Sequence, residues 1–185
     1  MSKQIENARE SLMKCGKDFL LNNPDGKAGK FKVRDLTSQC GMALGTFYHY
    51  FYSKDDLARQ IIMEDWLHIM DSIDAIIQGN NCLYEKVKQI YTEIFYFEKT
   101  YRYSALNLLS PTEENQIFKK ECFVLFQEKI RDFLITEINN KKLHLDADPE
   151  KAAYLLLNIF SATARNPNMN FEDLWMCMSF RDISD

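Results

Sequence analysis

Glycine and proline are scarce in this chain, with only 6 and 4 of them among 185 residues. Short strands joined by tight turns need many such residues, because glycine reaches positive φ and proline fixes φ. An all-β architecture is therefore disfavoured. Apolar residues recur instead at helical spacing, as at Ile5, Ala8, Leu12, Cys15 and Phe19. The pattern predicts an all-α protein of about nine helices.

The sequence also lacks the patterns of secreted and membrane proteins. Its five cysteines are odd in number and include no C-x-x-C pair, which disfavours a disulfide framework or a zinc knuckle. No apolar run approaches the ~18 residues that span a bilayer. The first ten residues include Lys3, Glu6, Arg9 and Glu10, where a signal peptide would be apolar. We therefore expect a cytoplasmic protein with reduced thiols and no membrane partner.

Recognisable catalytic patterns are missing as well. There are three histidines and no H-E-x-x-H, no phosphate-binding glycine loop and no G-x-S-x-G. One group of polar side chains lies on neighbouring helical turns: Glu64, Asp65, His68 and Asp71. A solvated helix face explains this group better than a metal site. We predict no enzyme activity, no metal and no cofactor.

Charge is distributed unevenly along the chain. Residues 1–54 contain nine Lys and Arg against five Asp and Glu, a net charge of +4. Because the whole chain carries −4, residues 55–185 carry −8. A basic segment on an acidic body is what phosphate binding by one end requires, although chance asymmetry is the alternative. We place a domain boundary after residue 54. It separates a basic head (1–54) from an acidic body (55–185).

Two short helices joined by a turn are predicted within residues 33–57. The first runs from about Val33 to Cys40 and stops at Gly41, and the second covers about Leu44–Phe51. Gly41 suits the turn because the residue that ends a helix often has positive φ. This arrangement is a helix-turn-helix within a three-helix head. A pair of packing helices in an ordinary bundle is the alternative.

The second helix has two chemically different sides. Phe47 and Phe51 share one side and are expected to pack in the core of the head. The opposite side carries small and hydrogen-bonding side chains that suit the major groove of DNA. Lys27 and Lys30 belong to a basic flank before the helices. The predicted DNA contacts are Lys32, Arg34, Leu44, Gly45, Thr46, Tyr48, His49 and Lys54.

The run from Gly41 to Leu57 resembles the DNA-binding signature of the TetR/AcrR family of bacterial regulators. That signature reads roughly A-G-V-S-x-G-T-h-Y-x-Y/H-F-x-S-K-E-x-L, where h is apolar. The matching residues are Gly41, Gly45, Thr46, Tyr48, Phe51, Ser53, Lys54 and Leu57. The resemblance covers about residues 5–60. It departs at Ala43, where the family usually has Ser, so the recognition helix lacks a side-chain cap at a cost of ~1 kcal/mol.

The resemblance implies a regulator that binds a palindromic operator in double-stranded DNA as a homodimer. Repression and release by a small-molecule effector are the family's common mode. Thr46, Tyr48 and Lys54 would contact phosphates or the groove, while the base edges would lie nearest to Leu44, Gly45 and His49. The alternative is a helical interaction module, or a ligand-binding protein, whose basic head does not bind DNA.

The resemblance implies that the head (1–54) is a DNA-binding domain and that the body (55–185) is a ligand-binding and dimerisation domain. In the body, an effector-binding region is followed by a dimer interface in the last two helices. The aromatic content favours an apolar or cationic effector. The residues predicted to line its pocket are Trp66, Met70, Tyr91, Phe95, Tyr103, Asn107, Phe123 and Phe126. The residues predicted at the dimer interface are Tyr154, Leu157, Phe160, Leu174, Trp175 and Met178. Ordinary core packing is the alternative for both sets.

Overall fold

The computed structural model describes residues 2–21, 32–101, 109–166, 168–178 and 181–182, with side chains described from residue 7 to 19 and throughout the next three ranges. Eight helices account for most of them: α1 (Ser2–Leu21), α2 (Val33–Gln39), α3 (Leu44–Tyr50), α4 (Lys54–Gln78), α5 (Leu83–Tyr101), α6 (Glu113–Asn139), α7 (Pro149–Thr163) and α8 (Phe171–Cys177). The all-α prediction is confirmed. The ninth predicted helix, at about 103–109, falls largely outside the described residues. Within those ranges, none of the helices is long and apolar enough to cross a membrane.

One small β-structure was not predicted. Strand β1 (Leu143–His144) pairs with strand β2 (Arg181–Asp182) in antiparallel register, with Leu143 opposite Asp182. Each strand has two residues, which is too short to show an alternating apolar pattern. Sequence periodicity alone therefore misses it.

Local capping chemistry sets where the last two helices begin. The side chain of Asp148 accepts a hydrogen bond from the amide of Glu150 at 2.8 Å, and Pro149 occupies the first turn of α7. At the start of α8, Asn170 and Asp173 exchange side-chain and backbone hydrogen bonds in a capping box. Such caps each stabilise a helix by about 1 kcal/mol.

The contacts divide the chain into two compact units. The first unit contains Met1–Trp66 and Thr100–Asn115, and the second contains Leu67–Lys99 and Gln116–Asp185. The first unit is thus larger than the head of residues 1–54. That head was defined by charge and by the DNA-binding motif, and its boundary stays a prediction about function.

The core of the first unit is built by α1, α2, α3 and the first turns of α4. Phe47 and Phe51 are fully buried there, with ring centroids 5.5 Å apart, which confirms their predicted place in the core of the head. Gly16 allows α1 to lie close to α4, because a Cβ at this position would stand 2.9 Å from Cδ1 of Ile61. Other buried side chains here are Leu12, Leu36 and Leu57.

In the second unit, aromatic rings join α5, α7 and α8. Tyr91 is buried and contacts Phe95, Phe160 and Phe171 at centroid distances of 5.7, 5.4 and 5.3 Å. Edge-on and tilted ring pairs of this kind add about 0.5–1.5 kcal/mol each beyond their buried area. These contacts fix the last two helices on α5.

The second unit also contains an ion pair with almost no exposure to solvent. Lys86 on α5 is 2% exposed and Glu137 on α6 is 0% exposed, and Nζ lies 2.8 Å from Oε1. The same ammonium donates to the carbonyl of Ile77, near the end of α4, at 2.8 Å. The second carboxylate oxygen, Oε2 of Glu137, has no hydrogen-bond partner in the part of the chain that the structure describes. Each charge therefore depends on the other for its solvation.

Candidate nucleic-acid interface

The turn between α2 and α3 is tight and closed by backbone hydrogen bonds. The amide of Met42 donates to the carbonyl of Thr37 at 2.7 Å, and the amide of Gly41 donates to the carbonyl of Ser38 at 3.1 Å. Gly41 has φ +66°, so the predicted need for glycine in this turn is confirmed. The turn therefore sets the direction in which α3 leaves α2.

Helix α3 turns most of the predicted contact residues toward solvent. The exposed members are Leu44, Gly45, Tyr48 and His49, and Thr46 is half-buried. The ring of Tyr48 stands edge-on to the buried ring of Phe47, with 5.3 Å between centroids, which orients an aromatic side chain that is 55% exposed. Among the described residues, no atom lies within 4 Å of a Cβ placed on Gly45.

Helix α3 begins without a side-chain cap. Ala43 precedes its first residue in an extended conformation, and no side chain accepts from the first-turn amides. The amide of Thr46 donates instead to the carbonyl of Ala43 at 3.0 Å. The expected missing cap is confirmed, and it costs ~1 kcal/mol relative to a serine cap.

The link from α3 to α4 is held by a side chain at each end. The amide of Asp56 donates to Oγ of Ser53 at 3.0 Å, and the amide of Tyr52 donates to Oδ2 of Asp56 at 2.9 Å. Lys54 is the first residue of α4 and is half-buried. The side chains of Ser53 and Asp56 are therefore both bonded to backbone amides at the start of α4.

Sequence reasoning missed one exposed residue in this link. Tyr52 is 94% exposed, although it is a large aromatic side chain. It stands at a variable position of the family signature, so the motif gave no signal for it. Its place between α3 and Lys54 makes it part of the same surface.

The basic flank is described only in part. Lys32 precedes the first residue of α2 and Arg34 lies in its first turn, and both are exposed. Lys27 and Lys30 lie outside the described residues. In the same unit, Arg9 of α1 donates to Oε1 of Gln60 at 2.7 Å, so this cation already has a protein partner.

Cys40, which ends α2, is half-buried beside Cys15 of α1. Burial, and then a hydrogen bond with the Cys15 thiol, raises the pKa of Cys40 to about 12. The neutral thiol is a weak nucleophile, since the thiolate is the reactive form. This environment fits a packing role for Cys40 better than the role of a reactive thiol.

Thiol labelling with iodoacetamide at pH 8 tests this environment. Burial also raises the pKa of Cys122 to about 11. Relative to a thiol of pKa 9.0, the thiolate fraction falls about a hundredfold for Cys122 and about a thousandfold for Cys40. We expect the exposed Cys82 and Cys177 to be labelled first, as measured by peptide mass spectrometry. Labelling of Cys40 in the folded protein as fast as Cys177 would contradict the expectation.

The acidic group near His68 includes a carboxylate that is bonded within the protein. Among the side chains that the structure describes, no three His, Cys, Asp or Glu residues are arranged to hold an ion. Asp65 from this group is instead bonded within the first unit, to Nζ of Lys17 at 2.5 Å and to the hydroxyl of Tyr101. Burial, and then this carboxylate, raises the pKa of Tyr101, so its hydroxyl acts as the donor.

The residues predicted to bind an effector are distributed over both units. Trp66 belongs to the first, whereas the second contains Met70, Tyr91, Phe95, Phe123 and Phe126. Tyr103 and Asn107 lie outside the described residues. In the second unit the ring of Phe126 lies 5.5 Å from Phe97, and that of Phe123 lies 6.0 Å from Tyr154. A shallow groove of about 560 Å³ runs along α4 and α5, and none of the predicted residues lines it.

The residues predicted at the dimer interface fall on two sides of α7 and α8. Leu157, Phe160 and Leu174 are buried inside the second unit. Trp175 and Met178 are half-buried, and Tyr154 is exposed. Including Tyr154, four large apolar side chains of these two helices are exposed, and we call this set the α7–α8 face: Tyr154, Leu155, Ile159 and Met176.

One protein-family model matches the segment that contains the helix-turn-helix. Residues 28–61 match the family model described as bacterial regulatory proteins, tetR family. The match contains α2, the turn, α3 and the first two turns of α4. No curated protein matches the chain by sequence.

The whole chain shares its fold with solved regulators at low sequence identity. The reduced form of NemR from E. coli is 16% identical with a TM-score of 0.75, covering 96% of this chain and 100% of NemR. FadR from Bacillus subtilis, in complex with stearoyl-CoA, is 16% identical with a TM-score of 0.69 and 84% coverage of both chains. A TetR/AcrR-family regulator from Thermobifida fusca is 17% identical with a TM-score of 0.66, covering 92% and 93%. The predicted resemblance is thus confirmed at two levels: residues 28–61 match the tetR-family model, and the chain has the fold of solved TetR/AcrR-family regulators.

Proposed function

We propose that this protein regulates transcription by binding an inverted repeat in double-stranded DNA as a homodimer. The observation that carries the proposal is the outer face of α3. Gly45, Tyr48 and His49 are exposed on a helix whose inner side is anchored by the fully buried Phe47. A major groove about 12 Å wide admits such a helix. The match of residues 28–61 to regulatory proteins supports the same assignment.

The proposed DNA-binding surface makes two kinds of contact, one with base edges and one with phosphates. Base edges lie nearest to Leu44, Gly45 and His49, where a methyl-bearing side chain, an open backbone and an imidazole meet different groove atoms. Phosphates are bound by Thr46 and Tyr48 on α3 and by three basic residues before and after it: Lys32, Arg34 and Lys54. Phosphate contacts fix the orientation of the protein, and base contacts supply sequence specificity.

The α7–α8 face is the proposed dimer interface. It exposes Tyr154, Leu155, Ile159 and Met176, with Leu155 57% exposed. Large apolar side chains exposed on neighbouring turns, such as Tyr154, Leu155 and Ile159 of α7, are typical of an interaction site. A two-fold axis pairs the face with itself and spaces the two half-sites by whole turns of DNA. The buried members of the predicted set, such as Leu157 and Phe160, support the face from inside.

A small-molecule effector completes the proposal. FadR from Bacillus subtilis was solved with stearoyl-CoA, which favours an effector with an apolar part. The effector, apolar or cationic, binds the body, shifts the population toward a state with low DNA affinity, and thereby relieves repression. We place this activity in the cytoplasm, and we assign the body to binding and not to an enzymatic reaction.

Selection of bound sequences from a random DNA pool tests the function. We expect enrichment of one inverted repeat with half-sites about 10 base pairs apart, or a multiple of that spacing. A folded, dimeric protein that enriches no sequence would contradict the proposal and leave an interaction module as the better interpretation.

Salt dependence tests the phosphate contacts separately. Replacing Lys54 with glutamine removes one phosphate contact per subunit. Because each contact contributes about −0.9 to the slope of log K against log salt, the slope for the dimer should become less steep by about 2. Fluorescence anisotropy on the selected operator at several salt concentrations measures it. Lys120→Gln, at an exposed position on α6, is the matched control, and equal slopes for both variants would remove Lys54 from the interface.

A further inference from the structure

A polar network joins the first turns of α4 to the start of α6 within the first unit. Its centre is Asn115, which is only 1% exposed. The side-chain oxygen accepts from Nη1 of Arg59 at 2.7 Å. The side-chain nitrogen donates to Oδ2 of Asp55 at 3.1 Å and to the carbonyl of Ser110 at 3.0 Å. Acceptor and donors of this amide are therefore all engaged.

Three residues close to Asn115 in sequence add further bonds to the network: Ser110, Thr112 and Glu114. The amide of Ser110 donates to the same oxygen of Asp55 at 3.2 Å. Arg59 also pairs with Glu114, with Nη2 and Oε1 3.0 Å apart. The side chain of Thr112 accepts from the amide of Asn115 at 3.3 Å and caps α6. The start of α6 is thus fixed both by its own cap and by its bonds to α4.

The chemistry of this site requires an amide. Arg59 needs an acceptor, whereas the Asp55 carboxylate and the Ser110 carbonyl each need a donor, and only Asn or Gln offers an acceptor and two donor hydrogens on one planar group. A carboxylate at position 115 would keep the bond from Arg59 and would stand about 3 Å from Asp55. A leucine there would remove one hydrogen bond each from Arg59, from Asp55 and from the carbonyl of Ser110.

The network acts next to the proposed DNA surface. Asp55 follows Lys54 directly, and Ser53 and Asp56 hold the link to α3. The donors to Asp55, however, come from residues 110 and 115, which lie outside the segment 28–61 that carries the family motif. The amino end of α4 is therefore held by two parts of the chain that are distant in sequence, residues 52–56 and residues 110–115.

We propose that Asn115 is a positioning residue for DNA binding. It holds the amino end of α4, and with it Lys54, in the orientation that the DNA-contacting surface requires. The inference rests on the proposed function. Asn115 itself does not contact DNA, so its effect is on affinity and not on the number of phosphates bound.

An exchange of the two side chains tests the proposal. Asn115→Asp is expected to weaken operator binding about tenfold, because two carboxylates then face each other and one donor is lost. Asp55→Asn alone is expected to weaken it about threefold. The double variant restores a carboxylate–amide pair in the reverse sense and should return the affinity to within about threefold of wild type. Asn139→Asp, an exposed change of the same kind on α6, is the control.

Affinity is measured by anisotropy on the selected operator, well below the melting temperature of each variant, with the active fraction set by stoichiometric titration. The salt slope of Asn115→Asp should equal that of wild type, unlike the slope of Lys54→Gln. Hydrogen exchange of the free protein should be faster for the amides of residues 55–58 and 110. If Asn115→Asp does not fold, Asp55→Asn and the double variant carry the test.

Equal affinities for Asn115→Asp and Asn139→Asp, at equal active fractions, would overturn the inference while leaving the proposed function intact. Failure of the double variant to recover any affinity lost in Asn115→Asp would also overturn it. If the wild-type protein selects no DNA sequence, the proposed function fails first, and the inference fails with it.

Discussion

A Leu155→Asp variant is expected to be monomeric and to bind the operator about 10²–10⁴-fold more weakly than the wild-type protein. Leu155 lies on the α7–α8 face between Tyr154 and Ile159, all of them exposed. In a two-fold interface each substitution occurs twice, so two carboxylates would be buried without partners. The affinity falls because a monomer binds one half-site only. In a dimer the second half-site is bound intramolecularly, which raises the overall affinity by about 10²–10⁴-fold.

Size-exclusion chromatography with light scattering gives the oligomeric state, and anisotropy on the full operator gives the affinity. Leu67→Asp is the matched control, because Leu67 on α4 is 52% exposed and lies outside the α7–α8 face. A monomeric Leu67→Asp together with a dimeric Leu155→Asp would move the interface to α4 and contradict the assignment.

Replacing Lys86 with methionine is expected to lower the free energy of unfolding by about 3–5 kcal/mol. The substitution leaves Glu137 fully buried with no cation, and its second oxygen already has no partner. The paired variant Lys86→Met, Glu137→Leu should recover most of the loss, since a buried ion pair contributes little net stability over apolar side chains of similar volume.

Urea denaturation of the two variants at neutral pH measures these differences. Lys129→Met is the control in the same unit, because Lys129 pairs with Asp74 at 2.6 Å in a solvent-accessible position. Loss of such an exposed pair costs about 0–1 kcal/mol. Equal losses in the free energy of unfolding for Lys86→Met and Lys129→Met would show that removing the buried cation costs no more than removing the exposed one.

The helix-turn-helix was predictable because its determinants are local. Gly41 must adopt positive φ within the turn, and Phe47 and Phe51 recur one helical turn apart on the buried side. The missing cap at Ala43 follows from a single residue type. Even so, the second helix ends at Tyr50, one residue before the predicted end, since helix ends fray.

Contacts between distant residues were not predictable from pattern. Asn115 and Asp55 are 60 positions apart, and Lys86 and Glu137 are 51 apart, so neither pair leaves a periodic signal. In α7 the apolar residues surround the helix, and composition alone does not separate the inward Leu157 from the outward Leu155. Distinguishing the buried from the exposed residues of such a helix requires knowledge of which neighbouring elements cover it.

The return of residues 100–115 to the first unit limits how this protein can be recombined with its relatives. A hybrid that joined residues 1–66 to a foreign body would lose Ser110 and Asn115, and the Asp55 carboxylate would lose both of their donated hydrogen bonds. Transplanting the proposed DNA-binding surface into another protein would therefore require moving two separate stretches of sequence together. Engineered sensors that exchange heads at the motif boundary should be built with both.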